Sequence, residues 1–157
     1  MLKVSNKVSI NISLTVAVVF IIACIFSAFI MPSLVEMLIN LPDNISNRGD
    51  ITPFGRAFVL TQAYLMLGIL ALADTFMIIL LLRIKKSLVF TDTSIALIRS
   101  ISWCCFAICI VFSLLGIYFQ LSFILAFFAV FLGISLRVVK NVIEEATEIK
   151  SENDLTV

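Results

Sequence analysis

Histidine is absent from this chain and charge is scarce, with Asp, Glu, Lys and Arg together making up 13% of the residues. A soluble domain carries about 25% charged residues. Without histidine, the commonest general base and metal ligand is gone. Glycine and proline are also few, five and three, and no phosphate-cradling glycine loop is among them. Zinc-ligand spacing and a serine–base arrangement are missing as well. Acid–base work by carboxylates alone calls for at least two in one site, and only Asp74 falls inside an apolar run. The sequence therefore argues against an enzyme and leads us to expect no catalytic residue, no metal and no cofactor. A net charge of +1 gives no reason to expect direct contact with nucleic acid.

What the chain has in excess is hydrocarbon. Apolar residues make up 62% of it, against roughly 45–50% in a soluble domain. So small a globule cannot hide that surplus, so its surroundings must be apolar too. A bilayer core of about 30 Å is crossed by roughly 20 apolar residues in a helix. Residues 10–31, 58–82, 100–119 and 121–139 each meet that demand. The first run follows Lys3 and Lys7, as a signal peptide would, but it is too long for a signal core and no small-x-small site follows. It reads as a retained helix. The expected fold is an all-α integral membrane protein, a single domain of four transmembrane helices arranged as a four-helix bundle.

Orientation follows from Lys and Arg. Nine of them (Lys3, Lys7, Arg83, Lys85, Lys86, Arg99, Arg137, Lys140 and Lys150) fall on one side, against Arg48 and Arg56 on the other. Both termini and the 83–99 connection should thus face the cytoplasm. The third and fourth spans would meet in a tight outer turn around Gln120. The other outer connection, 32–57, is rich in Pro, Asn, Asp and Gly, and its apolar stretch Leu34 to Leu41 could lie as a short interfacial helix.

Lipid tails remove the hydrophobic drive between helices, so small residues should mark contact faces. The third span carries Ser102, Cys105, Cys109, Ser113 and Gly116 at helical spacing; the fourth carries Ala126, Ala129 and Gly133, and the second Gly68, Ala71 and Thr75. These stripes are expected to face one another. The cysteines read as small packing residues, because two thiols four apart without a third ligand make no metal site.

On the cytoplasmic side, Thr91 fits an N-cap, with Asp92 in the first turn, where the helix dipole favours negative charge. The fourth helix should run on over 140–152. Val138, Val142, Ala146 and Ile149 form an apolar stripe there, and Lys140, Glu144, Glu148 and Glu152 lie opposite. Glu144, Glu145, Glu148, Glu152 and Asp154 crowd the C-terminal half of this amphipathic extension, where the dipole opposes them. An anionic membrane surface would repel such a helix. Two partners remain open: the basic 83–99 connection of the same chain, or another protein that would meet the five carboxylates, with Val142 and Ile149 as apolar anchors.

Asp74 lies eight residues from the inner end of the second span. A central carboxylate costs about 2.5–3.5 kcal/mol on insertion, so it should face other helices rather than lipid. It could bind a proton or cation in a small coupled transporter. Alternatively it holds helices together through Thr75, Ser102 or Ser113. Two louder signals carry less. Arg48-Gly49-Asp50 matches an adhesion tripeptide, but it is also ordinary turn chemistry. Asn44-Ile45-Ser46 fits a glycosylation acceptor, which matters only in a cell with that machinery.

The run from Gly133 to Val157, with Arg137-Val-Val-Lys-Asn-Val142 and Glu152-Asn-Asp-Leu-Thr156 as its most specific stretches, resembles the end of a bacterial membrane-protein family. That family is called domain of unknown function 2975. The segment from Phe90-Thr91 to Leu97-Ile98-Arg99-Ser100-Ile101 resembles the same family's approach to its third helix, whereas the first half agrees in helix layout more than in words. The resemblance implies a bacterial cytoplasmic membrane location and four helices, with no established activity. It also implies a gene neighbour encoding a small helix-turn-helix protein of the Cro/repressor type, and hence a regulatory pair. Three roles stay open: a regulator of a soluble partner, a small transporter using Asp74 (with a homo-oligomer supplying the path), and a structural subunit of a membrane complex.

Overall fold

The computed structural model is all-helical and describes residues 6–40, 52–86, 88 and 90–155. Four helices follow in chain order: α1 (Asn6–Ile39), α2 (Pro53–Lys85), α3 (Asp92–Leu115) and α4 (Leu121–Leu155). All four are long and apolar enough to cross a membrane. The glycosylation and adhesion tripeptides lie outside the described residues.

The helices pack in chain order, each on the next, with no backbone contact closing the set between α1 and α4 among the described residues. Each edge helix therefore shows its contact face cleanly. In α1 that face is Ala17, Ile21, Cys24, Ala28, Met31 and Val35, at alternating steps of four and three. In α4 it is Ser122, Ala126, Ala129, Gly133, Leu136, Lys140, Ile143 and Thr147, again alternating four and three. Such spacing keeps one stripe facing a neighbour along the whole helix, as in left-handed helix pairs.

Toward the C-terminal ends of α1 and α3 and the N-terminal end of α2, Val35, Val59, Val111, Leu115 and Phe119 form one buried cluster. Beside it the Phe58 and Tyr118 rings pack with centroids 5.8 Å apart. At the other end Thr91 caps α3, its side chain accepting from the Ser94 N–H. The Ser94 hydroxyl, itself buried, donates to the Leu88 carbonyl at 2.9 Å. The Leu88 N–H donates to the Arg83 carbonyl at 3.0 Å, which satisfies one of the last acceptors of α2.

One expectation fails at Pro32. The stretch from Leu34 is not a separate interfacial helix; α1 runs through Pro32 and ends at Ile39. A proline inside a helix leaves the carbonyl four residues back without its N–H donor. Here that carbonyl is Ala28 O, and the Tyr64 hydroxyl of α2 donates to it at 3.2 Å. In hydrocarbon an orphaned carbonyl costs several kcal/mol, so a partner from the neighbouring helix lets the proline stay inside the span. Tyr64→Phe should therefore destabilise the α1–α2 pair by about 1 kcal/mol. In a Pro32→Ala background the same change should cost much less, because the backbone N–H then serves Ala28. Thermal unfolding of the four variants in detergent measures the difference.

Candidate functional site

The best-built helix contact joins α3 and α4. Ser102 is fully buried, and its hydroxyl donates to the Gly133 carbonyl at 2.8 Å. A side chain on Gly133 would meet the Cys105 Cβ and the Phe106 ring, each at 3.3 Å. The two backbones are thus close because both sides are small. Ala126 and Ala129 are buried on the same stripe of α4. Cys109 and Ser113 lie one turn apart on α3, with thiol and hydroxyl 3.9 Å apart. Gly116 is buried beyond the end of α3 beneath the Phe123 ring.

The second helix does not join this contact through its small residues. Thr75 is exposed, and a Cβ on Gly68 would meet nothing within 4 Å. Gly68 instead lines a shallow groove with Thr61, Tyr64, Leu65, Ile69 and Leu72. The faces of α2 that are partly covered carry larger residues such as Leu67, Leu70, Met66 and Ile69. Bulk fills those seams, and smallness alone does not mark a contact.

Asp74 is half-buried on α2, and its Oδ2 has no hydrogen-bond partner among the described residues. The three hydroxyls expected to serve it are engaged elsewhere: Thr75 donates to Ala71 O, Ser102 to Gly133 O, and Ser113 pairs with Cys109. Gln62 is 7% exposed, and its Oε1 likewise has no partner among the described residues. No group of three metal-ligating side chains occurs among the described residues. Removing an unpartnered carboxyl from a span should relieve its insertion cost. Asp74→Asn is therefore expected to fold as well as the parent or melt at a higher temperature, whatever it does to activity.

A cavity of about 400 Å³ opens between all four helices, at the same end as the Val35–Phe119 cluster. Its lining is almost wholly apolar, including Val35, Met66, Phe112 and Leu125, with Ser122 as its polar member. Asp74 and Gln62 are not part of it.

The C-terminal extension of α4 beyond the apolar run is the most distinctive surface. Glu144 pairs with Lys140 on its own helix and with Arg99 of α3 at 3.8 Å. Lys140 is mostly covered, as are Ser94, Ile95 and Ile98 of α3. The extension thus packs on its own chain along Lys140, Ile143, Glu144 and Thr147. Its apolar stripe points the other way: Val138, Val142 and Ile149 are 57%, 61% and 54% exposed. Glu145 is exposed beside them, and Glu148 and Glu152 are exposed while engaged in interactions of their own. Asp154 belongs to α4, but its side chain lies outside the described residues.

Residues 42–157 match the family described as Protein of unknown function (DUF2975). The chain belongs to that family. The match takes in α2, α3 and α4 and leaves α1 outside it. No curated protein and no solved structure matches the chain. The DUF2975 region therefore holds both the tight α3–α4 contact and the C-terminal extension of α4.

The structure also reveals features that sequence reasoning missed. The α1 contact stripe was legible as Ala17, Cys24 and Ala28 at heptad-like steps. The Tyr64–Ala28 bond was signalled by a proline four residues after Ala28. A third such feature is the Arg137 guanidinium, which sits over the Trp103 ring at 4.9 Å and the Phe106 ring at 5.3 Å. The sequence gives no local hint of that pairing, because the residues come from different helices.

Proposed function

We propose that this DUF2975 protein is a non-enzymatic membrane anchor. In this reading its cytoplasmic extension docks, and thereby restrains or regulates, a small soluble DNA-binding protein. The observation that carries the reading is the direction of the apolar stripe. Val138, Val142 and Ile149 are exposed, while the opposite face of the same helix is fastened to α3 through Glu144. A rigid helix with an uncovered apolar seam bordered by carboxylates suits a partner whose surface is apolar at its centre and basic at its rim. DNA-binding domains carry such basic faces. The basic-residue bias favours a cytoplasmic side for this extension, where such a partner would be found.

The test is co-purification from native membranes in mild detergent. The full chain should retain a soluble DNA-binding protein, and Val142→Glu with Ile149→Glu should lose it while the membrane protein itself purifies in normal yield. If both forms purify alone or bring the same membrane neighbours, the extension has no such partner.

A second reading, a small proton- or cation-coupled transporter, has the orphaned Asp74 Oδ2 in its favour. Against it, the carboxylate does not open onto the cavity between the helices and lacks polar company along α2. Loss of ion-dependent uptake in Asp74→Asn, with the docking variant unaffected, would favour this reading over the first.

A further inference from the structure

Arg137 lies at the end of the fourth apolar run, on the side where the basic residues gather. Its guanidinium carbon sits 4.9 Å from the centroid of Trp103 and 5.3 Å from that of Phe106. The two rings are themselves edge-to-face, 6.0 Å apart at 67°. Gly133 makes this platform possible: without a side chain it lets the Phe106 ring lie against α4 one turn before Arg137. Both Arg137 and Trp103 are exposed. The neighbouring cations are already engaged, since Glu144 is shared between Arg99 and Lys140. No carboxylate is paired with Arg137 among the described residues.

A guanidinium held over aromatic faces still offers N–H donors on its open side, and those donors match a phosphate in bidentate fashion. Tryptophan prefers the headgroup level of a bilayer, which fixes the depth of the site. We propose that Arg137, held by Trp103 and Phe106, binds the phosphate of an anionic phospholipid at this end of the spans. The rings fix the guanidinium so that it need not be ordered on binding, and the lipid's own chains would lie along the exposed apolar surface of α3 and α4, beside Ile110 and Ile134. This site is independent of the docking role, because it needs no soluble partner.

The chain contains a single tryptophan, so its fluorescence reports this site directly. The full-length protein is placed in nanodiscs of mixed phosphatidylcholine and phosphatidylglycerol, with brominated acyl chains on one lipid or the other. Brominated phosphatidylglycerol should quench Trp103 as though enriched roughly fivefold over brominated phosphatidylcholine, the effect of about one basic side chain at a membrane surface. Arg137→Gln should bring that ratio to about one, and Arg137→Lys should leave part of it, since charge survives but the planar fork does not. Circular dichroism checks that both variants stay helical. Equal quenching by the two lipids in the unaltered protein, or an undiminished preference in a helical Arg137→Gln, would overturn the proposal. So would loss of the preference on adding inorganic phosphate, because the site would then take the free ion rather than the lipid.

Discussion

Gly133→Leu is expected to separate α3 from α4 and either abolish the folded state or lower its melting temperature severely. The reason is geometric. A Cβ alone at Gly133 stands 3.3 Å from the Cys105 Cβ and the Phe106 ring. The Cys105 Cβ is fixed to its backbone and cannot swing aside, so larger atoms must push the helices apart. That separation also breaks the Ser102–Gly133 bond, and the Ser102 hydroxyl, 0% exposed, has no water to turn to. Overpacking of this kind costs about 1–3 kcal/mol, and an unsatisfied buried hydroxyl adds about 1–3 kcal/mol. Gly133→Ala should be much milder, needing a shift of only a few tenths of an ångström. Gly116 offers the control. A Cβ there comes within 2.6 Å of Phe123, closer than anything at Gly133, but the clash is with the far end of an exposed ring that can rotate away. Gly116→Ala should therefore melt close to the parent despite the shorter contact. Thermal unfolding in detergent, followed by circular dichroism, distinguishes these three.

The second large effect separates two ways of disabling the extension. Truncation after Lys140 removes Glu144, the partner of Arg99, and uncovers the first turns of α3. Ile95 and Ile98 are both 5% exposed, and the Arg99–Glu144 pair sets the extension beside this stretch of α3. Uncovering two isoleucines forfeits up to about 1.5–3 kcal/mol each, so the truncated protein should be strongly destabilised at the N-terminal end of α3. Val142→Glu with Ile149→Glu alters side chains that are already more than half exposed. Its stability should stay within about 0.5 kcal/mol of the parent. Only the point variants can therefore separate a lost partner from a lost fold.

Much of this architecture was readable in advance. Four apolar runs set four helices, and the Thr91-Asp92 pair marks where α3 begins because capping chemistry is local. The end of α1 was not readable in that way. Pro32 looks like a terminator on local grounds, and only a tyrosine 36 residues beyond Ala28 removes the penalty. Smallness at Gly68 and Thr75 misled for a related reason: whether a small residue marks a contact depends on which helix stands opposite. The extension gives the most instructive case. Its periodicity correctly separates an apolar stripe from a charged one but does not say which of them is covered. The phase of α4 was nonetheless present in the chain. Val142 follows Gly133 by nine residues, about two and a half turns, so it must point away from whatever Gly133 faces. Lys140 and Thr147 fall on the Gly133 side by the same count. A straight helix passes its rotation along, and the tight contact at Gly133 decides which face of the extension is left uncovered.

The most direct test of the docking role is site-specific photo-crosslinking in living cells, with the photoreactive residue placed at Val142 in one strain and at Thr147 in another. Val142 should give an adduct to a soluble, basic DNA-binding protein, whereas Thr147 should crosslink within the chain to α3. An adduct at Thr147 to the soluble protein, or none at Val142 while the Thr147 product forms normally, would contradict a docking face on the outward side of α4.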